Sequence, residues 1–309
     1  DKAESRGLGD VYKRQMLACT GVSRIGMSWI IRSRACAESM RMRCPVVWGW
    51  QGVGQNCEGF LKSRRPVQQL VGERPDRMEE ACGVFAVLAV EQPVANLAYF
   101  GLYALQHRGQ ESAGIAVFNQ DKVRLHKDMG LVSQVFDQEV LARMPGDLAI
   151  GHNRYSTTGS SRVCNAQPVV LMTRLGAFAL AHNGNLVNAA ELRQAVDDGQ
   201  AEFTSTTDSE LIAFAVQQAV DRGLDWPEAI RSALKLCQGA FSLVIGTSQG
   251  LFAIRDGYGI RPLVFGHLGE PESGHWVVSS ETCGLEIIGA RYVDDVQPGE
   301  LVRFRAGDI

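Results

Sequence analysis

The chain has 309 residues, of which 45% are hydrophobic and 21% are charged, and its formal net charge is −3. This composition is typical of a globular protein with a sizeable core, and it lacks the basic excess that nucleic-acid binding requires. No apolar run approaches the length of a membrane span or of a secretory signal, so we expect a cytoplasmic protein with reduced cysteines.

The first quarter of the chain differs from the rest. Residues 1–77 contain 14 Lys and Arg against 7 Asp and Glu, whereas the remainder contains 17 against 27. The first segment also lacks any sustained hydrophobic period. A basic arm for nucleic acid is one interpretation. We favour the interpretation that residues 1–77 are a non-native or upstream-translated, disordered segment, with an expression scar at DVYKRQ that ends at Gln15. The working protein would then start at Met78.

Regular patterns begin after Met78 and predict alternating groups of strands and helices. In chain order we predict strand 82–90, helix 94–106, strands 112–118, 122–127, 147–155 and 177–184, helices 188–197, 207–222 and 226–237, and six short strands between 240 and 304. This order predicts an α+β fold with helices packed on antiparallel sheets.

Cys82 opens the first predicted strand and is followed by Gly83. A buried cysteine is ordinarily a small hydrophobic side chain. If the residues before it are removed, however, Cys82 carries both a thiol and a free α-amine whose pKa is about 7.7–8.0. Such an amine is a general base for its own nucleophile, and Gly83 leaves both groups unobstructed.

Three further polar clusters follow predicted elements, and each has a purely structural alternative. GHNRYSTTG (151–159) is either a hairpin turn or a carboxylate site in which Arg154 is supported by Thr157. AHNGN (181–185) is either a type I′ turn or an oxyanion hole made by the Asn183 amide and the Gly184 N–H. In TSTTDSEL (204–211), a Thr207–Glu210 capping box competes with an ammonium site at Asp208.

Taken together, the four clusters match one kind of substrate. Arg154 suits a carboxylate, Asp208 an ammonium group, Asn183 and Gly184 an oxyanion, and Cys82 an acyl carbon. An α-amino acid with an amide side chain has all of these groups, so the sequence indicates hydrolysis of glutamine through a thioester, with release of ammonia.

From Cys82 onward the sequence resembles the glutaminase domain of the amidophosphoribosyltransferase family, within the N-terminal-nucleophile (class II) glutamine amidotransferases. The resemblance covers residues 82–305 and rests on motifs that include CGVFAV, LYALQHRGQESAGIAV, GHNRYSTTG, LAHNGNLVN, STTDSE, IRDGYGIRPLVFG and SSETCGLEIIGA. It implies an αββα sandwich. The one departure is Gly257, where the family leads us to expect proline.

The resemblance also implies a role for each matching residue. Cys82 would be the nucleophile and, through its amine, the base, and Asn183 with Gly184 would bind the oxyanion. The glutamine would be held by Arg154, Thr157 and Asp208. Arg108 and Gly109 would line the same pocket, and their backbone would help to orient the nucleophile. The neighbouring histidines, His107, His152 and His182, would only pack, and no metal site is expected in these residues.

The family further implies maturation and a second domain. Residues 78–81 would be a propeptide, and 306–309 would begin a truncated link to an absent phosphoribosyltransferase domain that transfers ammonia to phosphoribosyl pyrophosphate. The full-length protein would be a homotetramer that uses Mg2+ and, in the propeptide-bearing branch, often a 4Fe-4S cluster.

Two other classes of function stay open at this level. A hexosamine synthase relative or a standalone glutaminase would share the nucleophile. The motifs HRGQESAG (107–114) and GIRPL (259–263) favour the amidophosphoribosyltransferase family over both. A non-catalytic module that binds an amino acid would keep the pocket but never expose the Cys82 amine.

Overall fold

The computed structural model describes residues 82–155, 161–197, 199 and 201–305, and every structural statement below concerns these residues. The predicted segments 1–77, 78–81 and 306–309 lie outside them, as does Thr157.

Twelve strands form two antiparallel sheets in the described part of the chain. They are β1 (Gly83–Leu88), β2 (Ser112–Asn119), β3 (Lys122–Met129), β4 (Leu148–Arg154), β5 (Val169–Thr173), β6 (Gly176–Leu186), β7 (Gly239–Thr247), β8 (Gly250–Arg255), β9 (Val264–Leu268), β10 (Trp276–Ser279), β11 (Ala290–Asp295) and β12 (Leu301–Phe304). One sheet has the order β11-β9-β10-β1-β4-β2-β3 and the other β12-β8-β7-β6-β5.

Seven α-helices cover the sheets: α1 (Val94–Ala104), α2 (Val132–Val135), α3 (Gln138–Ala142), α4 (Ala189–Val196), α5 (Asp208–Asp221), α6 (Trp226–Leu234) and α7 (Thr282–Glu286). Pro227 in the first turn of α6 and the Asp225 side chain, which accepts from the Glu228 N–H, fix where that helix begins. No helix in these residues is long and apolar enough to cross a membrane.

The core is divided into three apolar layers, and β1 shows how the sequence produces them. Because side chains alternate along a strand, Val84 and Ala86 face the second sheet, whereas Phe85 and Val87 face helix α1. A third layer lies between the second sheet and helices α4 to α6, around the fully buried Trp226. The resulting order of helix, sheet, sheet and helix is the αββα sandwich expected from the sequence, and the α+β prediction is confirmed.

Several predicted boundaries change in the structure. Strand β6 continues through Asn183 and Gly184 to Leu186 and stays paired with β7 throughout, so the hairpin alternative for AHNGN is wrong. Strand β5 and the short helices α2, α3 and α7 were not predicted. The Thr207–Glu210 capping box is absent, because the Thr207 side chain makes no cap hydrogen bond.

Candidate active site

Cys82 lies immediately before β1, a strand in the middle of its sheet between β10 and β4. Its backbone is held at both ends by one residue: the Cys82 N–H donates to the Arg108 carbonyl at 3.1 Å, and Arg108 Nε donates to the Cys82 carbonyl at 2.8 Å. The thiol donates to the Tyr155 carbonyl at 3.6 Å. Cys82 is therefore fixed by residues far from it in sequence.

The thiol of Cys82 is not reactive by itself. Burial raises its pKa, and this effect exceeds the opposing influence of the Tyr155 contact and of the Arg154 and Arg108 charges. A thiol of this kind stays protonated near neutral pH, so it needs a base to become a nucleophile.

Arg154 ends β4 and lies in the electrostatic surroundings of Cys82, since its charge acts to lower the thiol pKa. Its side chain is almost completely buried, and Nη1 donates to Glu111 Oε1 at 2.7 Å. The Glu111 N–H in turn donates to the Arg154 carbonyl at 3.0 Å. Glu111 was not predicted from the sequence, and it fixes the direction of the guanidinium.

Asn183 is fully buried in β6, and neither its Oδ1 nor its Nδ2 has a hydrogen-bond partner among the described residues. An unpaired buried amide costs about 1–3 kcal/mol and calls for an explanation. Gly184 beside it has φ 153°, and a Cβ there would lie 2.2 Å from the Ala240 carbonyl oxygen. The strand can therefore approach β7 this closely only with glycine at position 184.

A hydrogen bond across the sandwich places Asn183 relative to Cys82. Val84, two residues after Cys82, pairs with His152 in β4. The His152 ring contacts the His182 carbonyl through Nε2 at 3.0 Å, and His182 precedes Asn183. Burial lowers the pKa of His152 to about 3, so its ring stays neutral at neutral pH.

Asp208 is the first residue of α5, and its carboxylate is charged at neutral pH. Its Oδ2 accepts from the Leu186 N–H at 2.8 Å, and Oδ1 lies 3.5 Å from His182 Nδ1. Burial alone would raise the pKa of this carboxyl, but His182 and the backbone N–H groups of Leu186 and Ser209 together outweigh it and lower the pKa. The negative charge suits an ammonium ligand.

The loop before α5 explains why no capping box forms. Glu210 turns back and accepts four hydrogen bonds, from the N–H and hydroxyl groups of Thr204 and Ser205. It thereby stabilises the loop instead of the Thr207 N–H, and Asp208 keeps its carboxylate directed at Leu186.

Arg108 is hydrogen-bonded to the Cys82 backbone, and Gly109 packs against the end of β4. Arg108 is buried, and besides Cys82 its Nη1 contacts Glu281 Oε1. A Cβ on Gly109 would lie 2.7 Å from the Arg154 carbonyl carbon, so glycine lets this turn rest directly on the end of β4. Glu281 belongs to the motif SSETCGLEIIGA, but its role was not predicted.

Each of the three histidines near the site has a partner on at least one ring nitrogen, whereas His152 Nδ1 and His182 Nε2 have none among the described residues. His107 contacts Glu281 Oε2 through Nε2 at 3.0 Å, and His182 Nδ1 contacts Ser209 Oγ at 3.1 Å. The contact of His182 with Asp208 goes beyond the packing role that we predicted. Within the described residues, no cluster of His, Cys, Asp and Glu could hold a metal ion.

A separate open groove of about 990 Å³ lies beside Phe241, Asp256 and the exposed Tyr258 and Ile260. None of the predicted site residues that the structure describes lines it, although its wall includes Ala240 and Phe241, against which Gly184 lies.

Comparisons with known proteins agree with this geometry. Residues 152–286 match the family model of a glutamine amidotransferase domain. The amidophosphoribosyltransferase of Synechococcus elongatus is 66% identical over 231 residues, which are 75% of this chain and 47% of the relative. The amidophosphoribosyltransferase of Mycobacterium tuberculosis is 47% identical over 253 residues, and the match covers 78% of this chain and 47% of the relative.

Solved structures give the same result. The glutamine phosphoribosylpyrophosphate amidotransferase from B. subtilis, complexed with ADP and GMP, superposes with a TM-score of 0.65 at 36% identity, covering 72% of this chain and 47% of that one. The chain spans about half the length of the curated relatives that it matches. It contains a glutamine amidotransferase domain of the kind found in the amidophosphoribosyltransferase family.

Proposed function

We propose that this domain hydrolyses glutamine at Cys82 and releases ammonia. The observation that carries the proposal is Asn183, a fully buried amide without a hydrogen-bond partner, on a strand joined through His152 to the strand that follows Cys82. A carbonyl oxygen that becomes negatively charged would supply the missing partner.

The substrate would be held by its α-substituents. Arg154 would bind the carboxylate and Asp208 the ammonium group, in line with their charges and burial. Thr157, outside the described residues, stays a prediction as a further contact. Arg108 and Gly109 would contribute by shaping the turn against which Cys82 lies.

The chemistry would proceed in two halves. The α-amine of Cys82 takes the thiol proton as the sulfur attacks the side-chain amide carbon, and the oxyanion is bound by the Asn183 amide and the Gly184 N–H. The intermediate collapses to a thioester as the amine returns the proton to the leaving ammonia. Water then attacks the thioester, giving glutamate and the free thiol.

This mechanism requires a free amine on Cys82. We therefore propose that all residues before Cys82 are removed, including the propeptide 78–81. The raised pKa of the thiol supports this requirement, because a base must lie within reach of the sulfur.

For the longer protein we propose the purine-synthesis reaction, in which the ammonia reacts with phosphoribosyl pyrophosphate to give 5-phosphoribosylamine. Its acceptor domain, its homotetramer, its Mg2+ and any 4Fe-4S cluster would involve residues other than those described, and a cytoplasmic location fits this role. A complete reading frame without an acceptor domain would contradict this part.

The test is covalent labelling with a glutamine-analogue diazoketone, followed by a peptide mass map. We expect the adduct on a peptide that begins at Cys82, and none in a Cys82→Ala variant. Label-free Cys82 still attached to Ala81 in a protein that folds would refute the catalytic proposal for this chain.

A further inference from the structure

One buried guanidinium connects the nucleophile to a carboxylate far away in sequence. Arg108 holds Cys82 by two hydrogen bonds, with its own carbonyl accepting from the Cys82 N–H and its Nε donating to the Cys82 carbonyl. The direction of the Cys82 backbone, and with it that of the amine and thiol, therefore depends on where Arg108 lies.

Glu281 fixes Arg108 from the other side. Its Oε1 accepts from Arg108 Nη1, and its Oε2 contacts His107 Nε2 at 3.0 Å. Burial alone would raise the pKa of the Glu281 carboxyl, but Arg108 and His107 outweigh it and lower the pKa, so this side chain is charged at neutral pH.

The residue before Glu281 reinforces the same connection. The Ser280 hydroxyl accepts from the Val84 N–H at 2.9 Å, and the Ser280 N–H donates to the Val84 carbonyl at 3.0 Å. Two successive residues before α7 thus hold the start of β1, Ser280 directly and Glu281 through Arg108.

We infer that Glu281 is a positioning residue for the nucleophile, acting through Arg108 on the Cys82 backbone. This inference rests on the proposed function. Since the guanidinium is planar and donates to both partners, loss of the Glu281 charge lets it turn, and the Cys82 carbonyl loses its partner in the required direction. The amine and thiol then sample unproductive orientations.

Such a role predicts a particular kinetic pattern. Glutamine binding is assigned to Arg154 and Asp208, which do not contact Glu281. Loss of Glu281 should therefore lower kcat, because a misplaced nucleophile reacts slowly, while KM for glutamine stays nearly constant.

The experiment compares Glu281→Gln with Glu281→Asp and wild type in the 309-residue chain. Glutaminase rates are divided by the fraction of chains that begin at Cys82, measured by intact mass. We expect kcat to fall about 10- to 100-fold in Glu281→Gln with KM within about twofold of wild type, and Glu281→Asp to recover part of the loss. If Glu281→Gln does not fold or mature, Glu281→Asp is compared with wild type alone. We then expect a smaller fall in kcat, again with KM nearly unchanged.

Glu139→Gln is the matched control, since Glu139 also pairs with an arginine, Arg143, but on the exposed face of α3. It should behave as wild type. An unchanged kcat in the Glu281 variants, or a raised KM with normal kcat, would overturn the inference. An inactive, unlabelled wild type would instead refute the proposed function itself, so the two failures are distinguishable.

Discussion

Replacing Asn183 by leucine should separate stability from activity. The side chain is fully buried and both of its polar atoms lack partners, so the folded protein carries the desolvation cost of the amide without compensation. Leucine is branched at Cγ like asparagine and has no polar atoms, although its side chain is larger. We expect Asn183→Leu to raise the free energy of unfolding by about 1–2 kcal/mol, part of the cost of an unsatisfied buried group.

Activity should change in the opposite sense. If the Asn183 amide binds the oxyanion, its loss should lower kcat for glutamine hydrolysis by roughly 100- to 1,000-fold, equivalent to about 2.7–4 kcal/mol of transition-state stabilisation. The measurements are urea unfolding followed by circular dichroism, and ammonia release at saturating glutamine. A higher free energy of unfolding together with a lower kcat would show that the Asn183 amide destabilises the folded protein and is needed for turnover.

Asn153→Leu is the control for stability. Asn153 is equally buried in β4, and its Oδ1 also lacks a partner among the described residues, but its Nδ2 donates to the Leu102 carbonyl at 2.7 Å. Its replacement should therefore destabilise the protein, by about 1–3 kcal/mol. If Asn183→Leu destabilises as much as Asn153→Leu, Asn183 has a structural role and the reasoning from its unpaired atoms is refuted.

Three further predictions concern other parts of the domain. Asp208→Asn should destabilise the protein at pH 7. The difference in the free energy of unfolding between wild type and variant should vanish as the pH falls below the usual carboxyl pKa of 3.8 and through the lowered pKa of the folded state. A difference that stays constant down to pH 2 in urea titrations would contradict this. Gly257→Pro should raise the free energy of unfolding by about 0.5–1 kcal/mol, because Gly257 is the second residue of a turn in which the Gly259 N–H donates to the Asp256 carbonyl. A decrease of the same size in the free energy of unfolding would show that the turn does not accept proline. Gly109→Ala should destabilise the domain by roughly 2 kcal/mol or more, since the added methyl meets the backbone of β4, whereas Gly223→Ala, with open space around it but φ 110°, should show the cost of backbone strain alone.

The sequence alone was sufficient for most of the elements that carry the site. Cys82, Arg154 and Asp208 stand at the ends of strands or at the start of a helix, where a change of hydrophobic period marks the boundary. These features are local, so a single stretch of sequence reveals them. The layer order followed from the resemblance, since β1 is apolar at every position and its sequence alone does not say which side chains face which layer.

Local patterns were misleading where pairing with a distant strand decided the outcome. Asn183-Gly184 has the composition of a hairpin turn, yet Gly184 pairs with Phe241 in the interior of a sheet. The capping box at Thr207 failed for a different reason, since Glu210 finds more donors at Thr204 and Ser205, within the same motif. In both places a competing set of partners outweighs the local pattern.

Contacts between remote segments were beyond prediction. Glu281 lies 173 positions from Arg108 in the chain, and nothing in SSETCGLEIIGA by itself indicates that its carboxylate reaches a buried arginine. Glu111 and Arg154 are similarly paired across 43 positions. The residues proposed to bind or react came from the sequence, whereas the carboxylates that hold the two arginines, Glu281 and Glu111, required the structure.

The histidines around the site bear on the identity of the base. His107 is bonded to Glu281, the His152 ring stays neutral and contacts the His182 carbonyl, and His182 is bonded to Ser209. None of the three is hydrogen-bonded to the Cys82 thiol, whose partner among the described residues is the Tyr155 carbonyl, and the buried thiol still requires a proton acceptor. We propose the α-amine of Cys82 as that acceptor. Activity should therefore follow exposure of that amine, and a folded chain in which Cys82 is still bonded to Ala81 should be inert toward glutamine.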